Sequence, residues 1–197
     1  YLGDEEWCCG MGVVELHDEG REKEAEDFGR EVALKTMESS KGRGGKNIIC
    51  FCSHCAHLTK KYLKDQDINV MHYPDILLER LDQLKLRIKP TTIGYYEGCQ
   101  LRSNAWAPGV ELNWSAYNNL LGKIEGLNVE ELPHKVCCSL APDTVIEEAV
   151  ENKVDYIVCS CSACHTLLNR SAKGKIAVKF LPDLLLESVE ESLSHQE

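Results

Sequence analysis

Cysteines are the residues of this sequence whose type and spacing could carry chemistry. The chain has 197 residues and 11 cysteines, and an adjacent CC pair followed by a CxCxxC motif occurs twice along it. The cysteines are Cys8, Cys9, Cys50, Cys52 and Cys55, then Cys99, and then Cys137, Cys138, Cys159, Cys161 and Cys164. Thiolates in such clusters bind zinc or iron–sulfur clusters, or form redox-active pairs. The sequence therefore predicts a metal or redox protein.

The two cysteine patterns predict a tandem duplication. Each cysteine of the first CxCxxC motif recurs 109 residues further along the chain, and residues 72–80 resemble residues 180–188. A repeat of this kind indicates two copies of one structural unit. We assign residues 1–88 to the first repeat and residues 89–197 to the second. Because nothing equivalent to Cys99 precedes Cys8, the first repeat is expected to lack its N-terminal part.

Strands alternating with helices are the elements that must position these cysteines. The pattern predicts strands at 47–52, 68–73, 91–96, 156–159 and 177–181. It predicts helices at 22–38, 54–64 with Ser53 as the cap, 74–84, 116–124, 142–152, 163–168 and 182–193, with a glycine-containing loop at 39–46. Such alternation is typical of parallel sheets covered by helices. We expect an α/β fold of two pseudo-symmetric repeats, each built on a small parallel sheet.

Both CxCxxC motifs lie where a predicted strand ends and a predicted helix begins. Backbone N–H groups and the positive end of the helix dipole gather at such a junction, and they favour the thiolate form that binds metals. Ligands in open parallel sheets also sit beyond the carboxyl ends of the strands. Metal clusters are therefore expected at the strand C-terminal ends.

Composition excludes some classes of function but does not identify what the cysteines bind. The formal net charge of −10 argues against a nucleic-acid partner, which needs clustered Lys and Arg. The sequence contains no apolar run of membrane-spanning length and no recognisable leader, so a cytoplasmic location is expected, with membrane association only through partners. Redox disulfides, structural zinc sites and iron–sulfur clusters all remain open on the residues alone.

The cysteine order resembles the cysteine-rich CCG domain. That domain occurs twice in the B subunit of heterodisulfide reductase, and it occurs in iron–sulfur subunits of glycolate oxidase, lactate-utilisation and succinate dehydrogenase systems. The resemblance rests on Cys8-Cys9-Gly10 with the first CxxC, and on Cys99 and Cys137-Cys138 with the second. The second copy departs from the family pattern, because it reads Cys137-Cys138-Ser139 and has a short spacing to Cys161.

The resemblance implies a ligand set and a cofactor. It implies a noncubane [4Fe-4S] cluster in each repeat, with zinc in one repeat as an alternative. The implied metal ligands are Cys8, Cys9, Cys52, Cys55, Cys99, Cys137, Cys138, Cys161 and Cys164. Cys50 and Cys159 are candidate extra ligands, and His54 and His165 are expected beside the ligands. No catalytic side chain beyond the clusters is implied.

The resemblance also implies an activity and partners. The first hypothesis is an oxidoreductase subunit that reduces a small disulfide, the heterodisulfide of coenzyme M and coenzyme B in methanogenesis. Its electrons would come from a ferredoxin-like iron–sulfur subunit in a complex with a flavin-containing subunit. The alternatives are an electron-transfer subunit of a flavin dehydrogenase or succinate/quinone-type complex, and a zinc-stabilised assembly domain.

Overall fold

The computed structural model describes residues 22–80, 85–98, 109–132 and 137–194. By their contacts these residues form two compact units. The first contains described residues 22–73 and 109–112, and the second contains 74–80, 85–98, 113–132 and 137–194. The predicted repeat division at residues 88 and 89 falls inside a strand of the second unit, and the duplication itself stays a prediction.

The first unit is a two-stranded parallel sheet with helices packed against it. Its elements are α1 (Glu22–Gly42), β1 (Asn47–Cys50), α2 (Ser53–Leu63) and β2 (Asn69–His72), followed by α3 (Tyr73–Arg80), of which only Tyr73 belongs to this unit. β1 pairs with β2 in parallel, from Asn47 opposite Asn69 to Cys50 opposite His72. The carboxyl ends of both strands therefore meet at one edge, where Cys50 and His72 lie.

The second unit is built on a four-stranded, wholly parallel sheet in the order β4-β3-β5-β6. Its elements are β3 (Leu86–Tyr96), α4 (Ser115–Leu121), β4 (Ile124–Glu131), α5 (Pro142–Glu151), β5 (Tyr156–Cys159), α6 (Ser162–Ala172), β6 (Ala177–Phe180) and α7 (Leu181–Ser194). Strand β5 is buried along its whole length, which the short apolar run Tyr-Ile-Val-Cys predicts. The predicted α/β class with parallel sheets is confirmed.

Three local predictions are wrong. The first predicted helix continues to Gly42 and ends where Gly44 takes a φ of +75, so residues 39–42 are helical rather than loop. Ser53 is the first helical residue of α2 rather than its cap, because Cys52 occupies the capping position. Strand β4 begins where a helix is predicted to end, since that helix stops at Leu121.

A bulge between β3 and β4 depends on one glycine. The register advances from Arg87 opposite Glu125 to Thr91 opposite Leu127, so three residues of β3 pass opposite Gly126. Gly126 has a φ of +87, and a side chain there would collide with the backbone carbonyl of Ile88. The bulge also accommodates Pro90, which has no N–H to donate to a ladder.

No helix in the described part of the chain combines the length and apolar character needed to cross a membrane.

Candidate functional site

The second CxCxxC motif forms the junction between β5 and α6. Cys159 ends the strand, and Cys161 occupies the capping position of α6 with an extended backbone (φ −117, ψ 130) and no side-chain capping hydrogen bond. The first helical hydrogen bond runs from the His165 N–H to the Cys161 carbonyl at 3.0 Å. Cys164 lies in the first helical turn, where free backbone N–H groups favour negative charge. The predicted strand–helix junction is confirmed.

The adjacent pair Cys137-Cys138 comes to the same place. Both cysteines are buried at the start of a tight turn, and the Leu140 N–H donates to the Cys137 carbonyl at 3.0 Å. The Sγ atoms of Cys138 and Cys164 are 3.3 Å apart, although 26 residues separate them in sequence. Their exposed fractions are only 4% and 1%, so the two sulfurs share a water-poor pocket. Two predicted ligands from distant parts of the sequence thus meet in the interior of the second unit.

Gly98 closes the pocket from a third direction, and sequence reasoning missed it. It follows β3 with a φ of +56, and a Cβ built on it would lie 3.2 Å from the Cys164 Sγ. Only glycine allows the backbone to come so near the sulfur in this conformation. Gly98 directly precedes Cys99, a predicted ligand that lies outside the described residues.

Cys159 and Cys137 have oxygen partners of their own. The Cys159 Sγ lies 3.6 Å from the Lys179 carbonyl oxygen and 3.7 Å from the Cys161 carbonyl oxygen, and the side chain is fully buried. The Cys137 Sγ lies 3.0 Å from the Ser139 hydroxyl, at the position where the CCG pattern has glycine. Carbonyl oxygens accept hydrogen bonds, so the contacts of Cys159 suit a protonated thiol better than a thiolate.

The first CxCxxC motif has the same local geometry at the junction of β1 and α2. Cys52 caps α2 with an extended backbone (φ −95, ψ 134), and the Ala56 N–H donates to its carbonyl at 3.0 Å. Cys50 and Cys52 are buried, and Cys55 is partly exposed. Cys8 and Cys9, the other predicted ligands of this repeat, lie outside the described residues.

Three buried histidines distinguish the first junction from the second. His54 and His57 lie on α2 and His72 ends β2, all almost fully buried. Burial is the main reason that the pKa of His72 falls to about 4, with a further lowering by the charge of Lys60 and an opposing effect of Cys52. In the second unit, His165 is only partly buried, and a ring nitrogen lies 3.2 Å from the Val178 carbonyl oxygen.

The buried His72 predicts acid sensitivity of the metal-free protein. The unfolded chain binds this proton near pH 6.5 and the folded chain only near pH 4, so stability is lost as the pH falls through that window. We expect the free energy of unfolding to drop by about 2 kcal/mol between about pH 7 and pH 5 from this residue. Urea unfolding at the two pH values measures the drop.

The matched control is His72→Phe, because Phe180 occupies the corresponding position at the end of β6. The variant should lose the part of the pH dependence that His72 contributes and keep the remainder. An identical pH slope in the variant and the parent would contradict the assignment.

Phe51 is a second feature that sequence reasoning missed. It stands between two cysteines with 58% of its surface exposed, and its ring stacks on that of Tyr73 at 5.4 Å. The corresponding residue of the second motif, Ser160, is buried. An exposed aromatic side chain in the first motif thus has a small buried counterpart in the second.

The cysteines fit a thiolate-bound centre in their chemistry. Sulfur donors select zinc or iron–sulfur clusters, and the Cys138 and Cys164 sulfurs are buried and converge. Within the described residues, no group of three or more Cys, His, Asp or Glu side chains is gathered to hold one metal ion. The predicted ligands Cys8, Cys9 and Cys99 lie outside those residues.

The fold and the site define a class of protein: parallel α/β proteins with cysteines at strand–helix junctions. The chain is similar to the D subunit of dihydromethanophenazine:CoB–CoM heterodisulfide reductase from two Methanosarcina species. It is 26% identical to the Methanosarcina barkeri protein over 95% of this chain and 51% of that protein. It is 23% identical to the Methanosarcina mazei protein over 98% of this chain and 51% of that protein. The chain spans about half the length of these curated relatives.

No protein-family model matches the chain. Among solved structures, the chain is similar to glutamate racemase isoform RacE1 from Bacillus anthracis, at a TM-score of 0.32 and 13% identity, covering 84% of this chain and 63% of that one. A glycine-to-cysteine mutant of arylmalonate decarboxylase gives a TM-score of 0.29 and 11% identity, covering 84% and 75%. TM-scores this low do not establish a shared fold.

Proposed function

We propose that this chain is a heterodisulfide-reductase-type iron–sulfur subunit, in which cysteine-bound clusters reduce a small disulfide. The observation that carries the proposal is the meeting of the CC turn with the CxxC helix, where the Cys138 and Cys164 sulfurs lie 3.3 Å apart in a buried pocket. The similarity to two heterodisulfide reductase subunits supports the same conclusion. The disulfide of coenzyme M and coenzyme B is the proposed substrate, because both relatives are named for that activity.

The proposed ligands of the second site are Cys99, Cys137, Cys138, Cys161 and Cys164, and those of the first are Cys8, Cys9, Cys52 and Cys55. An iron–sulfur cluster, when bound, supplies one-electron reduction. The chain's own part is to hold the sulfurs and keep water away. The N-terminus of α6 favours thiolates at the second site, and burial of Cys138 and Cys164 limits solvent access.

Electron delivery would need partners. We propose a ferredoxin-like iron–sulfur subunit as the donor and a flavin-containing subunit behind it, in a cytoplasmic complex. An electron-transfer role in a flavin dehydrogenase complex uses the same site with a different partner. The protein is co-purified with its partner subunits, and the complex is then analysed for flavin content and for quinone reduction. These two measurements distinguish the two roles.

One measurement tests the cofactor. Iron, acid-labile sulfide and zinc are quantified in anaerobically purified protein, and electron paramagnetic resonance is recorded for the oxidised state with added thiol. We expect iron and sulfide in equal amounts and a spectrum that changes with thiol. Stoichiometric zinc without iron would falsify the redox proposal.

Zinc stays the alternative for the first site because of its histidines. His54, His57 and His72 are buried at or near that junction, whereas Ala163, Thr166 and Phe180 occupy the corresponding positions of the second repeat. Zinc accepts mixed Cys and His ligands. One zinc ion together with iron and sulfide in each chain would mean that the two repeats bind different metals. The first repeat would then be a zinc-stabilised assembly domain.

Cys159 is proposed to be a structural thiol rather than an extra ligand. Its sulfur lies near two carbonyl oxygens, which suit a protonated thiol. We expect Cys159→Ser to keep the iron content and the spectrum of the parent. Cys161→Ser is the matched variant two residues further along, and it should lose the second-site centre. Equal loss of iron in both variants would make Cys159 a ligand.

A further inference from the structure

The geometry points to a peroxide-sensitive dithiol: in the metal-free chain, Cys138 and Cys164 are placed to be joined as a disulfide by hydrogen peroxide. Their Sγ atoms are 3.3 Å apart, so a bond between them needs only a small movement of side chains on a turn and a helix start. The inference is independent of which metal the site binds. It rests on the proposed function only in its consequence, the removal of two metal ligands.

Two neighbouring thiols of the second unit, those of Cys137 and Cys159, have oxygen partners of their own. The Cys137 sulfur lies 3.0 Å from the Ser139 hydroxyl, and the Cys159 sulfur lies near the carbonyl oxygens of Cys161 and Lys179. The Cys138 and Cys164 sulfurs, by contrast, are in direct contact with each other. The selectivity comes from the fold, because it brings the CC turn against the first turn of α6.

The step is balanced with peroxide as the oxidant. Peroxide oxidises one of the two thiols to a sulfenic acid and releases one water. The other sulfur then attacks the sulfenic sulfur, its proton leaves with the hydroxyl group as a second water, and the S–S bond forms. The two thiols together lose two electrons, and these electrons reduce one molecule of peroxide to two molecules of water.

Burial sets which oxidants can reach the pair. The two cysteines are 4% and 1% exposed, so bulky disulfides and alkylating reagents are expected to react slowly. Peroxide is close to water in size and enters through small fluctuations. The disulfide takes both sulfurs out of the metal site, so the oxidised chain cannot load a second-site centre until a dithiol reductant reopens it.

Peptide mapping of the full chain tests the inference. Metal-free protein, reduced under anaerobic conditions, is treated with one equivalent of peroxide, denatured, alkylated and digested with trypsin. Cys138 lies in peptide Val136–Lys153 and Cys164 in peptide Val154–Arg170. We expect these two peptides to become linked with the loss of two hydrogens, and fragmentation to assign the bond to Cys138 and Cys164. Dithiothreitol should separate them.

Matched variants decide the assignment. The link should disappear in Cys138→Ser and in Cys164→Ser, and it should persist in Cys159→Ser, with circular dichroism checking that each variant is folded. If the peptides stay linked to the same extent in Cys138→Ser, or if peroxide gives only sulfinic and sulfonic acids, the inference is wrong.

Reconstitution separates this inference from the proposed function. Peroxide-treated and untreated chains are incubated with ferrous iron and sulfide, with and without prior dithiothreitol. We expect lower iron uptake after peroxide and full recovery after dithiothreitol. Normal uptake with the disulfide intact would overturn the consequence drawn here. If no sample takes up iron while the linked peptides are still found, the cluster proposal is wrong and the inference of a peroxide-sensitive dithiol still holds.

Discussion

Under the proposed function, replacing Cys138 by serine is expected to abolish the second-site centre and, with it, disulfide reduction by the assembled complex. The cysteine is buried against the Cys164 sulfur, so neither water nor another side chain can easily take the vacant position. Mutating a residue that only hydrogen-bonds to a metal ligand already lowers metal affinity or activity by about 10–100-fold. Loss of the ligand itself should therefore lower them by at least about 100-fold. Iron content per chain should fall by about half if both repeats hold clusters.

Iron analysis and electron paramagnetic resonance measure this result beside reductase activity. The control is Cys159→Ser, a buried cysteine of the same unit whose sulfur lies near carbonyl oxygens. It should keep the iron and the spectrum. Should Cys138→Ser retain the parent's iron and signal, the ligand assignment of the CC pair is wrong.

Replacing Gly126 by alanine is expected to destabilise the second unit by about 2–4 kcal/mol. The residue has a φ of +87 in the bulge between β3 and β4, and a methyl group would meet the Ile88 backbone carbonyl. Backbone atoms in a ladder cannot move aside without breaking neighbouring hydrogen bonds. Urea unfolding followed by circular dichroism measures the loss.

Gly174→Ala separates the collision from the cost of the backbone conformation. Gly174 has a similar φ of +81, but nothing lies within 4 Å of the position of its Cβ. Its substitution should cost about 1 kcal/mol, from the left-handed conformation alone. Equal losses for the two glycines would show that the bulge relaxes around the methyl group.

The sequence is a good guide where apolar runs are short and clearly bounded. The predicted strand at 156–159 coincides with β5 at Tyr156–Cys159, because charged Asp155 and polar Ser160 flank an unbroken apolar run. Pro142 marks the start of α5 for a similarly local reason, since its fixed φ suits the first helical turn.

The missed elements are those with interrupted patterns. Gly126 interrupts the alternation of apolar and polar residues in β4, so this strand is not predicted from the sequence. Pro90 interrupts β3 in the same way, so only the second half of that strand is predicted. Both interruptions belong to one bulge, which depends on pairing between strands distant in sequence. Propensity within a short window cannot report such pairing.

The candidate site is predictable in part. The spacing places Cys161 and Cys164 at a helix start, and the structure has them there. The approach of Cys138 to Cys164 depends on strand order and on the path of the CC turn, which spacing does not encode. The close approach of Gly98 has the same origin, because it requires β3 to lie beside β5.

Under the proposed function, the central position of β5 has a consequence for electron transfer. This strand is hydrogen-bonded to β3 on one side and β6 on the other, and all four of its residues are buried. Its amides should therefore be among the slowest in the chain to exchange with deuterium. Cys161 and Cys164 lie at the helix start just beyond this strand, so they are attached to a part of the sheet that should open rarely. A centre bound there would change charge with little nuclear rearrangement, and a low reorganisation energy speeds electron transfer.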